Sequence, residues 1–400
     1  MYKHYFTILF CAFVYYGLNA QCPPGDVTLS SQAEVDDFLA AYPNCTEIAG
    51  DLLIGSLSST TDITNISGLG NITSIGGDLD IRSNAVLTSF TGLDQLASIG
   101  GGLLIFDNDG ISSLMGLDNL TSIGGRLVIS NNAGLTGLTG LDQLTYISGL
   151  LYILGNGDLT SLTGLEQLTS IGGELVIRFN DGLTNLMGLE NLTSIGGELE
   201  ISFNDGLTSL TGLDSLTSIG GDLYIYNTAV LTSLTGLEQL VSIGGDLEVL
   251  DNAVLVSLVG LEQLAYIGGD LNIRNNAGLT SLTGLDQLVS IGGDLDIRNN
   301  AGMTSLTGLE QLASIGGDLL ILDNDGMTNL AGLDSLISIG GELLIYSNAA
   351  LASLTGLNHY ISIGENIRID FNSSLTDLTE LGNLTSVGGD LDIGNNDSLT

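Results

Sequence analysis

Residues 279–302 read LTSLTGLDQLVSIGGDLDIRNNAG, and variants of these 24 residues fill most of the chain. An Ile or Val ahead of a glycine-rich corner recurs from Ile75 through Ile291 to Val387, always at the same interval. A fixed period of this size marks a solenoid, in which each unit buries its apolar side only against its neighbours. Leu279, Leu282, Leu285, Leu288 and Ile291 lie three apart, a spacing that suits compact, 3₁₀-like turns. Leu295 and Ile297 lie two apart, as on one face of a strand. Gly284 and the Gly292–Gly293 pair fall at the expected corners. An asparagine column runs from Asn84 to Asn396 in the same phase, broken only by Thr228. An amide both donates and accepts, so it suits buried backbone groups in its own coil and the next.

Composition narrows the setting. The chain carries 46 acidic against 7 basic residues, and Lys3 is its only lysine. Such a surface repels nucleic acid and anionic membranes and suits a saline exterior or a cationic partner. Residues 1–20 read as a secretory signal: a weakly basic start at Lys3 and His4, an apolar run from Phe6 to Gly17, and Ala20 before the cut. That run is too short for a comfortable membrane span. Cys22 and Cys45 then form an even pair in an exported chain, which predicts a disulfide. Residues 21–47 form a predicted N-terminal cap with one short helix over 31–42. Ser31 and Glu34 provide its capping box, Val35, Phe38 and Leu39 its apolar face, and Pro43 its stop. Residues 48–400 form the repeat array. The sequence stops just after Leu399 opens another repeat, and is expected to be truncated there because solenoids need capped ends.

The wording LxxLxxIGGxLxIxxNxxL resembles the receptor L-domain repeat, the leucine-rich-repeat-like solenoid of the insulin and epidermal growth factor receptors, over about residues 46–400. The resemblance implies an all-β, right-handed parallel β-solenoid with an extracellular binding role. This array is longer and more uniform than receptor L-domains and shows no cysteine-rich module or kinase, so receptor signalling is not carried over.

Several columns are candidates for chemistry. Two are acidic, one including Asp142 and Asp286, the other Asp222, Asp246, Asp270 and Asp294. No cofactor is expected, with Ca²⁺ along these carboxylates as the single candidate. Six arginines sit at outward strand positions and are read as exposed, weak pairs with nearby acids. Threonine rows such as Thr136, Thr160, Thr184 and Thr208 raise an ice-binding surface. The degenerate coil with His359, Tyr360, Glu365, Arg368 and Asp370 raises a polysaccharide-active enzyme, although no catalytic triad, phosphate loop or His/Cys metal cluster is present. The outward strand positions vary most and carry large apolar residues, with Phe179, Phe203 and Phe371 one step on, and such residues on a flat sheet suit a partner. The predicted binding residues are Phe106, Tyr152, Leu154, Tyr224, Tyr226, Leu322 and Tyr346. The sequence therefore reads as a non-enzymatic, secreted or cell-surface recognition or adhesion scaffold. Its expected partner is an extracellular protein or glycan, with no nucleic acid and no membrane insertion. In the repeat 279–302, Asp286, Asp294, Asp296 and Arg298 are read as facing outward.

Overall fold

The structure, a computed structural model, describes residues 22–357 and 361–400. The signal reading over residues 1–20 and the residues His359 and Tyr360 lie outside them. The described residues form a parallel β-solenoid with a 16-stranded and a 15-stranded sheet.

One coil explains the rest. Ser290–Ile291 is a short strand, Gly292–Gly293 turns the chain, and Leu295–Arg298 is a four-residue strand. Each pairs in parallel with the residues one period away, for example Ser290 with Ser314 and Leu295 with Leu319. The sequence spacing revealed the longer strand only; the two-residue strand at each Ser-Ile step is too short to show a period. The return path has no regular element. Met303 donates to Asn300, Leu309 to Leu306 and Leu312 to Leu309, each three residues back. These are the expected compact turns. At the corner before Leu285, Gly284 has φ 114°, and a Cβ there would lie 2.1 Å from the Leu258 carbonyl oxygen, so no other residue fits.

Leu279, Leu282, Leu285, Leu288, Leu295 and Ile297 are fully buried and Ile291 nearly so, and the same columns recur through the array. Each such leucine is worth about 2 kcal/mol of burial. Beside them runs the asparagine ladder. Asn300 donates its amide to the Ile273 carbonyl of the preceding coil (2.8 Å), while its oxygen accepts the Asn276 N–H (3.0 Å). Both partners lie in the preceding coil, so the amide bonds its own coil to the one before it; in several coils, as at Asn276 with the Arg274 carbonyl, the amide also donates two residues back within its own coil. Thr228 keeps part of this pattern. Its N–H and hydroxyl both donate to Asn252 Oδ1, but a threonine has no amide to offer the Ile201 carbonyl.

The cap forms largely as the sequence predicts. The helix spans Gln32–Ala41 with Ser31 as N-cap, and Ser30, not Ser31, receives the return contact from Glu34. Val35 and Phe38 are buried, whereas Leu39 is exposed. Cys22 and Cys45 are disulfide-bonded. A strand the sequence reading missed, Val27–Leu29, adds itself to the long sheet beside Leu52–Gly55. Leu52 pairs with Leu79, so the first full coil is 27 residues long, three over the period.

Two outcomes test this account. Asn252→Ala removes a donor and a doubly used acceptor from a buried site. It is expected to cost about 2–4 kcal/mol, read as a lowered guanidinium midpoint, while Thr228→Asn is expected to stabilise by about 1 kcal/mol. Cys45→Ser opens a loop with a sequence separation of 23. It is expected to lower stability by about 3 kcal/mol, with amide exchange rising first in Gln32–Ala41.

Candidate binding surface

The long sheet has an inner face that builds the core and an outer face that does not. Outward side chains come from the second and fourth positions of each strand, and the pairing aligns them as columns. One column runs Tyr152, Val176, Glu200, Tyr224, Glu248, Asn272 and Asp296. Its neighbour runs Leu154, Arg178, Ser202, Tyr226, Leu250, Arg274 and Arg298. Successive rungs lie about 4.8 Å apart.

All seven sequence-predicted binding residues lie on this face, each partly buried. They do not form one patch. Tyr152, Leu154, Tyr224 and Tyr226 share a stretch of four coils. Leu322 and Tyr346 are paired neighbours farther along, and Phe106 stands two rungs before Leu154.

The arginines do more than the sequence reading assigned them. Arg178 pairs with Glu200 and also reaches Tyr226. Arg274 and Arg298 both grip Asp296, at 2.7 and 2.5 Å. The Asp296 side chain is only 2% exposed and that of Asp370, beneath Arg368, 5%. These carboxylates are covered by their arginines, so the pairs are not the solvated surface contacts expected. Removing Arg368 would strand the buried Asp370 charge, whereas Asp296 would keep a second arginine.

From Leu79–Arg82 onward, the residue after each four-residue strand adopts a left-handed backbone, as Asn299 does at φ 55°. Asn, Asp, Ser or Gly holds this position in most coils, as the conformation favours. Phe179, Phe203 and Phe371 occupy it instead, with φ between 51° and 60°. A bulky aromatic there is strained. Phe179 and Phe203 stack at 4.9 Å, and Phe203 meets the Tyr226 ring edge-on at 5.6 Å. The result is a partly exposed aromatic cluster beside the two tyrosines. The sequence places these phenylalanines one step beyond the outward columns; their left-handed backbone and their stacking appear only in the fold.

A shallow depression of about 330 Å³ opens next to this cluster, lined by Glu198, Glu200, Tyr224, Tyr226, Glu248 and Leu250 with Asp251 at its edge. Tyr224 donates to Asp222 at 2.9 Å. Burial and that bond push its phenol well above the ordinary range. The bond to Glu174, with burial, pushes Tyr152 up to about 12. Burial, followed by repulsion from Glu200, Glu174 and Asp222, raises Glu198. Burial also raises Glu248, against the opposing pull of the Asn272 amide and Arg274.

Other candidate columns have structural work. Asp286 accepts the Gly284 N–H at 2.9 Å, closing its own turn. Asp294 accepts the Asp318 N–H at 2.7 Å, and Asp270 that of Asp294, so this acidic column ties coil to coil. Asp286 and Asp294 each spend one carboxylate oxygen on the backbone and remain exposed and half-buried respectively, whereas Asp296 is buried beneath its arginines and is not available for recognition as the sequence suggested. Among the described residues no three His, Cys, Asp or Glu side chains gather in a metal-holding group. The threonine hydroxyls donate to carbonyls of the preceding coil, Thr136 to Ser112 and Thr160 to Thr136, both at 3.1 Å. Among the described residues of the degenerate coil, Arg368 and Asp370 form an outer-face ion pair at 2.8 Å.

A leucine-lined parallel solenoid whose long sheet has an outer face is leucine-rich-repeat-like in architecture. Residues 44–136 match the Receptor L domain family, and the same coil continues beyond the matched segment. Comparison with curated proteins finds no match. Among solved structures, a leucine-rich repeat protein from Bacteroides thetaiotaomicron aligns at 14% identity and TM-score 0.28, covering 89% of this chain and 53% of that one. This protein thus spans about half its length. The TLR13–ssRNA13 complex aligns at 15% identity and TM-score 0.24, covering 88% and 70% of the respective chains.

The raised glutamates have a measurable consequence. A carboxyl whose folded pKa exceeds its ordinary 4.5 is destabilising once ionised. Its contribution is most favourable below 4.5 and is lost as pH rises through the folded value. Glu198→Gln is therefore expected to raise the unfolding midpoint at pH 7 and to leave it unchanged at pH 4, followed by circular dichroism at both pH values.

Proposed function

We propose that this protein is a secreted or cell-surface recognition scaffold that binds an extracellular protein or glycan through the outer face of its long sheet. One observation carries the reading. The outer strand positions hold tyrosines, leucines and flanking phenylalanines that the coil does not need, while the acidic, asparagine and threonine columns bond the coils together. Partly exposed aromatics on a rigid surface are efficient contact residues, because little side-chain freedom is lost on binding. The Receptor L domain match and the Cys22–Cys45 disulfide support an extracellular setting. Tyrosines and a leucine beside glutamates line the depression and suit contact with a partner, so binding is the activity proposed for this face.

The test is an array of glycans and secreted proteins probed with the full chain. Signals are expected to fall about tenfold or more in Tyr224→Ser/Tyr226→Ser and in Leu322→Ser/Tyr346→Ser, as for central contact residues. Val241→Ser and Val289→Ser, on exposed turn positions, are the controls. Signals that survive both face variants and vanish in the controls would place binding elsewhere.

A further inference from the structure

The outer face repeats one arrangement three times. An arginine lies near an aromatic ring and meets a carboxylate. Arg82 sits 4.9 Å over Phe106 and pairs with Asp80. Arg178 lies 5.9 Å from Phe179 and 5.8 Å from Tyr226 and pairs with Glu200. Arg368 lies 6.0 Å from Tyr346 and pairs with Asp370. The guanidinium stacks on the ring while its fork satisfies the acid.

At Tyr224 the ring and the acids are present and the arginine is missing. In register, Tyr224 stands between Glu200 and Glu248. Glu200 is satisfied by Arg178, but among the described residues neither Glu198 nor Glu248 has an ion-pair partner. The rung where an arginine could serve Glu248 holds Leu250. The next one, Arg274, leans the other way to Asn272 and Asp296. Glu248 keeps only the Asn272 amide, at 3.2 Å.

We propose that this depression is completed in trans, by an arginine side chain from a basic segment of a partner protein that lies over Tyr224 and bonds Glu198 and Glu248. The proposal rests on the outer-face reading and names the partner's chemistry. Charge complementarity favours it, since the chain has a net charge of −39 and a basic segment is drawn to it from a distance. A second copy of this chain is a poor donor, because all six of its arginines are already paired. Arginine fits better than lysine: a planar fork can stack on a phenol and reach two carboxylates, whereas an ammonium is a compact point charge.

The full chain is titrated calorimetrically with acetylated, amidated tetra-arginine at physiological salt, against tetra-lysine and tetra-citrulline. Saturable binding of tetra-arginine is expected, weaker for lysine and lost for citrulline. Glu248→Gln and Tyr224→Leu should each weaken it about tenfold, with far-UV circular dichroism unchanged. Asp37→Asn, on the capping helix, should leave it unaltered. No binding, equal binding of lysine and arginine, or equal weakening by Asp37→Asn would overturn the proposal, the last by showing diffuse attraction only. An arrayed ligand lost in Leu322→Ser/Tyr346→Ser, yet indifferent to Glu248→Gln and to competing tetra-arginine, would overturn this inference and leave the outer-face reading standing. An arrayed ligand indifferent to every face variant would remove that reading instead.

Discussion

The structure depends on a buried amide that serves two coils. Each asparagine of the column fills the backbone bonds that the strand-to-turn transition would otherwise leave open inside the core. Because its donor and its acceptor both engage the preceding coil, 27 and 24 residues back, it also fixes the length of the coil in sequence. A coil one residue longer or shorter would offer this ladder the wrong partner. The leucine columns supply most of the burial energy, but leucine is indifferent to register and the amide is not. The acidic column that accepts the next coil's N–H repeats the principle at the surface corner.

That division of labour explains what the sequence could tell. The core was legible because Leu279, Leu282, Leu285, Leu288, Ile291, Leu295 and Ile297 recur without exception in kind, and period alone assigns them inward. The cap was legible because Ser31, Glu34 and Pro43 are local signals. The short strands at Ser290–Ile291 were not, since two residues carry no alternation to detect. Nor was the real use of Asp286, Asp294 and the threonines. A polar residue bonded to a neighbouring coil looks, in one dimension, like a polar residue facing water.

The candidate face was legible by default, as the positions the coil leaves unspecified. Its organisation was not. Sequence places Phe179 one step beyond Arg178, but only the left-handed backbone turns that ring beside Phe203 and brings Tyr226 against it. Likewise Asp296 and Arg298 read as a pair of exposed charges, whereas the two arginines gripping Asp296 bury it. Local charge on this face is neutralised coil by coil, and departures from neutrality are therefore informative.

The 27-residue first coil has a different kind of consequence. Elsewhere neighbouring coils are close to interchangeable, so genetic duplication or loss of one whole unit would leave every remaining junction intact, and array length can drift between related genes. The junction between Leu52–Gly55 and Leu79–Arg82 cannot be copied that way, because its three surplus residues belong to no other coil. It gives an otherwise uniform ruler a zero mark, from which the distance to any surface feature is inherited.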